Sequence, residues 1–202
     1  MSAYQSYRNV PSLAGICSME AGMKPGLSVE ECVRRLKRYH FALKRLHQIL
    51  TARITSEPIY ELKMAYSLHA HYCAEHVSAF RKRVGEMREP PLGLEAVPDE
   101  NLGIFFDEIL GGPTTEELLV GVYEKAFPAV KAALEEHQRD TNLLADHPSV
   151  RVCRFALLEI NEAIEFGKKA IAQLVDAGAR QRLSSWVQLL DDCLAAAGGL
   201  SG

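Results

Sequence analysis

The chain of 202 residues carries 23 Lys and Arg against 26 Asp and Glu, a formal charge of −3, and 48% of it is hydrophobic. A balance so close to neutral gives no field that would draw in nucleic acid or an anionic membrane surface, while the apolar content suffices for one buried core. No stretch approaches the roughly 18 uncharged apolar residues of a membrane span, and the opening MSAYQSYRNVPSLAG lacks the basic and apolar regions of a secretory leader. Five widely separated cysteines, Cys17, Cys32, Cys73, Cys153 and Cys193, contain no CxxC pair and read as small buried residues of a reducing compartment, a bacterial-type cytoplasm.

In chain order, residues 1–27 form an irregular arm rich in Pro and Gly, with Tyr4, Tyr7, Leu13 and Ile16 as anchors. Ser28 opens a helix running to about Thr55, with Glu31 completing a capping box. Its seam, Val29, Val33, Leu36, His40, Leu43, His47, Leu50 and Ile54, follows a 4-3 spacing. Ser56 caps a second helix over Glu57–Arg88, with Pro58 in its first turn. At roughly 48 Å this is the element the others are expected to pack around. Its seam holds His69, Cys73 and His76, and a second stripe carries Met64, Leu68, His71 and Glu75. Its basic end, Arg81–Pro91, reads as a solvated C-terminus favoured by the helix dipole.

The proline-rich stretch Glu89–Pro98 is a crossover. A short helix over Asp99–Leu110 buries Leu102, Phe105, Phe106 and Ile109, and Thr114 with Glu117 opens a third long helix to about Asn142, kinked at Pro128. His137 lies on its seam. Asp146 caps a fourth long helix to about Ala177, in which Glu159 and Glu162 are bracketed by Phe155 and Phe166. A last helix from Ala179 to Ala197 packs through Leu183, Trp186, Val187, Leu190 and Leu194, followed by a frayed GGLSG tail. No period-two strand signal occurs.

Two long helices in a tight hairpin, a crossover with a short helix and two further long helices resemble the ferritin-like antiparallel four-helix bundle over residues 28–177, with 178–202 as an additional C-terminal helix and tail. In metal-binding members the resemblance implies one glutamate from each of two helices and an ExxH pair from each of the others. This chain departs from that pattern. Glu75 is followed at i+3 by Ser78, Glu159 by Glu162, the first helix has no interior acid, and Glu124 is the only mid-helix acid of the third.

The constellation of interest is His71 and Glu75, at i, i+4 on one face, with Glu159 and Glu162, at i, i+3 on another. Together they offer an imidazole and three carboxylates to one Fe, Mn or Zn ion. The plain alternative pairs them at the surface with each other or with Arg151, Arg154 or Lys168. His40, His47, His69 and His76 are staggered along the hairpin and read as core histidines bonded to Tyr39, Tyr66, Tyr72 or a carboxylate. No nucleophile elbow, dinucleotide fingerprint or phosphate loop occurs. The expectation is a helical protein with a degenerate or mononuclear core site for a metal or small molecule. Alternatives are a metal-dependent oxygenase or hydroxylase, or a non-enzymatic dimerising interaction module whose terminal helix with Trp186 supplies the contact; the protein itself is expected to be a homodimer or a monomer.

Overall fold

The computed structural model describes residues 4, 6–87 and 93–202; of the expected crossover and the basic helix end, residues 88–92 lie outside the described residues. The helices are α1 (Met19–Gly22), α2 (Val29–Arg53), α3 (Tyr60–Glu86), α4 (Glu100–Gly111), α5 (Thr115–Leu119), a π-helical segment (Val120–Ala126), α6 (Phe127–Asp140), α7 (His147–Leu174) and α8 (Ala177–Ala196). Short 3-10 turns at Tyr7–Asn9 and Ser12–Gly15 precede them, and no strand occurs among the described residues. The all-α expectation is therefore met. None of these helices is long and apolar enough to cross a membrane.

Side-chain pairings fix the helix directions. Arg83 Nε reaches Ser149 Oγ at 2.8 Å and His76 reaches Glu159, so α3 and α7 run antiparallel. Arg35 pairs with Asp140 and Tyr39 OH donates to the Ala133 carbonyl at 3.1 Å, which makes α2 and α6 antiparallel as well. The hairpins α2–α3 and α6–α7 complete a ring of four, in which α2 and α7 point one way and α3 and α6 the other. The connection from α3 to α5 therefore returns along the bundle, with α4 lying between α2 and α8.

That outer layer corrects the expected hierarchy. The central rod is α2, with thirteen of its 25 residues buried against nine of 27 in α3. The burial extends to two arginines, Arg35 and Arg38. Arg38 donates to the carbonyls of Ala197 at 2.7 Å, Gly199 at 2.9 Å and Leu200 at 3.2 Å, and Arg34 reaches Ser201 O at 2.7 Å. The tail expected to fray is held instead, with Leu200 and Ser201 buried, because guanidinium donors satisfy carbonyls left over at a helix end. The arm also differs. Tyr4 and Tyr7 are exposed, and Asn142 holds residues near α1 by donating to Gly22 O at 3.0 Å and Lys24 O at 2.6 Å, so the arm rests on the α6–α7 turn.

The caps were partly legible. Ser28 Oγ accepts from Glu31 N and Thr114 with Glu117 forms the full capping box, but Glu31 turns to Arg34 and Arg35. Ser56 is not a cap; its hydroxyl bonds Arg53 O, and α3 starts only at Tyr60. Buried Glu57 takes over that corner, accepting from Ile59 N at 3.0 Å, Thr115 Oγ1 at 3.0 Å and Tyr66 OH at 3.4 Å. Pro128 distorts its helix as expected, with a widened π-helical turn just before it. A ring without an N–H cannot complete the α ladder, and Phe127 N–H bonds Val122 O, one residue further back than in an α-helix.

At the level of the π segment, α7 passes so close that Gly167 has no room for a side chain. A Cβ there would lie 2.2 Å from Tyr123 Cβ. Gly167→Ala is therefore expected to destabilise the fold by roughly 2–3 kcal/mol despite its better helix propensity. Gly85→Ala, where a Cβ would meet nothing within 4 Å, should instead stabilise by about 0.5–1 kcal/mol. Urea unfolding of the two variants checks the pair; equal effects would mean that the approach at Gly167 is loose.

Candidate functional site

The histidines sort by depth. His47 Nδ1–H donates to Ala70 O at 3.0 Å, across the α2–α3 hairpin. His69, 4% exposed, lies 2.8 Å from Tyr123 OH through Nδ1 and is boxed by the rings of Tyr72, Tyr123, Phe127 and Phe166. Burial pushes it down to about 4. The tyrosine partner expected for these histidines exists, but it comes from the π segment and not from the hairpin. Nδ1 of buried His40 has no hydrogen-bond partner among the described residues, and burial lowers this group too.

His76 has the carboxylate partner: its Nε2 lies 2.6 Å from Glu159 Oε2. Burial lowers its pKa and Glu159 pulls the other way. This pair sits in the wall of a surface cleft of about 520 Å³ between α3 and α7, lined by His71, Glu75, Arg151, Phe155 and Leu158 among others. Three of the four residues proposed as metal ligands, His71, Glu75 and Glu159, thus share one cleft. Glu162 is exposed and is not part of its lining. Among the described residues, no three of the four bring ligand atoms within 4.8 Å of one another. They do not form the expected convergent site, because Glu159 turns to His76 and His71 and Glu75 face solvent. Cys73 is no nucleophile for His76 to activate: it is 1% exposed, and burial raises its thiol well above the ordinary range.

The group that does converge lies at the opposite end of the bundle from the α2–α3 hairpin. Cys32, His137 and Asp146, all buried, bring one ligand atom each within 4.8 Å of one another, alone in this among the described residues. The first turn of α2 supplies Cys32, the last turn of α6 supplies His137, and Asp146 stands just before α7. Asp146 occupies the expected N-cap position but makes no cap bond. Its carboxylate turns inward. Oδ2 faces His137 Nε2 at 3.1 Å, Thr141 Oγ1 at 3.0 Å and Cys32 Sγ at 3.7 Å, while Oδ1 accepts from Arg83 Nη2 at 3.0 Å and from the Ser149 hydroxyl.

Burial alone would push the Asp146 carboxyl up, but the hydrogen bonds from His137, Ser149 and Arg83 outweigh it and hold it at about 2. The same burial, followed by the Asp146 charge, pushes the Cys32 thiol up to about 11. His137 Nδ1, fully enclosed and edge-on to Tyr39, has no partner among the described residues. The sequence held a partial signal for this cluster: His137 fell on a core seam, and Asp146 lay just beyond the end of that helix. Arg83 was hidden within a run of cations that otherwise face solvent.

Comparison with protein families, with curated proteins and with solved structures found no match.

Titration of the aromatic box follows from its depth. Between an unfolded value of 6.5 and a folded value of about 4, only the unfolded chain holds the His69 proton. Stability therefore falls as pH drops through that window, by on the order of 3 kcal/mol from this group, and is flat for it above. His69→Gln keeps a hydrogen-bonding group for Tyr123 without titrating. Urea midpoints at pH 7 and 4.5 should draw closer in this variant than in the unaltered protein, and an unchanged gap would place the sensitivity elsewhere.

Proposed function

We propose that the protein is a metal-binding helical bundle whose one ion is held by Cys32, His137 and Asp146, with zinc the best fit among Fe, Mn and Zn. The observation that carries this reading is the meeting of a sulfur, an imidazole nitrogen and a carboxylate oxygen in one buried place. A tetrahedral ion with bonds of about 2.0–2.3 Å has ligand–ligand edges of roughly 3.3–3.8 Å, which the Cys32–Asp146 distance already meets and the hydrogen-bonded His137 and Thr141 distances reach by opening a few tenths of an ångström. Asp146 Oδ2 stands 3.1 Å from His137 Nε2 and 3.7 Å from Cys32 Sγ, and Thr141 Oγ1 lies on a fourth side at 3.0 Å from the same oxygen. Thiolate sulfur favours zinc over manganese. Thiolate and carboxylate together balance a divalent charge, the thiol proton leaving on binding. Arg83 and Ser149 on the second carboxylate oxygen supply the outer-sphere support that fixes a ligand's orientation.

Enclosed by these side chains, the ion keeps no free position for a substrate. Its role in this reading is structural, fastening α2, α6 and α7 at one end of the bundle. A metal-dependent oxygenase would need an open position instead. The helix directions described above, with a crossover returning along the bundle, support a ferritin-like scaffold for this site. One observation favours a second reading, in which the same residues form a purely hydrogen-bonded clamp: the Arg83 guanidinium already neutralises Asp146.

Refolding with zinc, followed by dialysis and elemental analysis, distinguishes the two. About one equivalent is expected, with a thiolate-to-cobalt charge-transfer band when Co(II) replaces zinc. Cys32→Ser should lose both signals, and Glu159→Gln should keep them. Less than roughly a tenth of an equivalent after reconstitution leaves only the clamp.

A further inference from the structure

The outer face of α7 has a pattern that its inner face does not need. Arg151, Arg154, Phe155, Leu158, Glu162 and Glu165 are all exposed and, at 100° per residue, fall on one stripe along the helix. Its middle is apolar, with Phe155 51% and Leu158 64% exposed. Beside it, the α3 side of the cleft is lined by His71, Glu75 and Ala79, while the exposed Met64 and Leu68 lie further along α3, towards the level of Phe166. Neighbouring large apolar residues this open mark a surface that associates.

The charges on the stripe identify the partner. Within seven residues of Leu158, two cations lie on one side and two acids on the other, at matched spacings: Arg154 and Glu162 four residues away, Arg151 and Glu165 seven; the exposed Lys169 lies beyond them, at eleven. A helix with this order is complementary to itself when reversed. We propose that the α7 face centred on Leu158 is the seam of a homodimer, with the two α7 helices antiparallel about a two-fold axis through Leu158. Arg154 then faces Glu162 of the partner subunit, Arg151 faces Glu165 of the partner subunit, and the two copies of Leu158 meet on the axis. A parallel arrangement would set cation against cation.

The present engagements of these groups leave them available. Arg154 and Glu162 make no hydrogen bond or ion pair among the described residues. Glu165 has an exposed pair with Lys168, with the charges of Lys169 and Lys131 nearby, and Arg151 lies over the Phe155 ring at 4.7 Å. With the axis at Leu158, residues 147–169 of the two α7 helices overlap, a seam roughly 33 Å long. On the Trp186 helix the indole is half-buried with its edge over Gly121, which leaves it less open than Leu158. The inference is independent of the metal reading, because none of these residues touches Cys32, His137 or Asp146.

Sedimentation velocity of the full chain tests it, with circular dichroism to verify that each variant is folded. The unaltered protein should be a dimer at micromolar concentration. Leu158→Arg, which sets two cations against each other on the axis, should sediment as a monomer. Arg154→Glu should weaken the dimer about tenfold or more, and Arg154→Glu combined with Glu162→Arg should restore it, because the exchanged charges remain complementary under the same two-fold. A monomer in the unaltered protein overturns the proposal. So does a dimer indifferent to Leu158→Arg, or a double variant that dissociates as far as the single one.

Discussion

A buried carboxylate cannot be left uncompensated, and Asp146 sets one end of this bundle by that requirement. Its partners arrive from separate elements: Arg83 from α3, His137 from α6, Thr141 from the turn, Ser149 from α7 and Cys32 from α2. None can move along its helix without leaving charge or a polar atom unpaired, so the register of four rods is fixed at one level. Glu57 does the same at the far end. It joins the start of α3 to Thr115, where the chain re-enters the bundle after the crossover. Between these two acids lies a belt of rings around His69, where packing alone decides the spacing.

Much of the fold was legible because it depends on short-range signals. Ser28, Asp99 and Thr114 cap the helices they precede, the apolar spacings locate the buried faces, and Pro128 marks the distorted turn. The misread residues have roles set by distant partners. Asp146 looked like an ordinary cap, since nothing local says that Arg83 waits inside the bundle to receive its carboxylate. Arg35 and Arg38 lie off the apolar seam of their helix and so were passed over, yet one answers Glu31 and Asp140 and the other answers carbonyls at the end of the chain. The importance assigned to α3 failed for a related reason: helix length is visible in sequence, but the covering of α2 by α4 and the tail is not.

The candidate site was legible in kind more than in place. An imidazole and carboxylates at helical spacing drew attention to His71, Glu75, Glu159 and Glu162, of which three meet in one cleft, though without the convergence a metal requires. Spacing along a helix establishes a shared face, but not whether a side chain turns inward. That choice depends on a neighbour such as His76, which captures Glu159. The same face of α7 gains a different meaning from its charge order, a property that is fully present in the sequence and needs only the exposure of Phe155 and Leu158 to be read.

The seating of Trp186 has a practical consequence. It is the only tryptophan, and an added Cβ on Gly121 would lie 3.0 Å from its indole edge and from Ile109, so the ring reports on one contact between α8, α4 and the π segment. Its fluorescence is thus a local gauge of α8 docking. Red-shifted emission with ellipticity largely preserved would register a detached α8 before the remaining rods come apart.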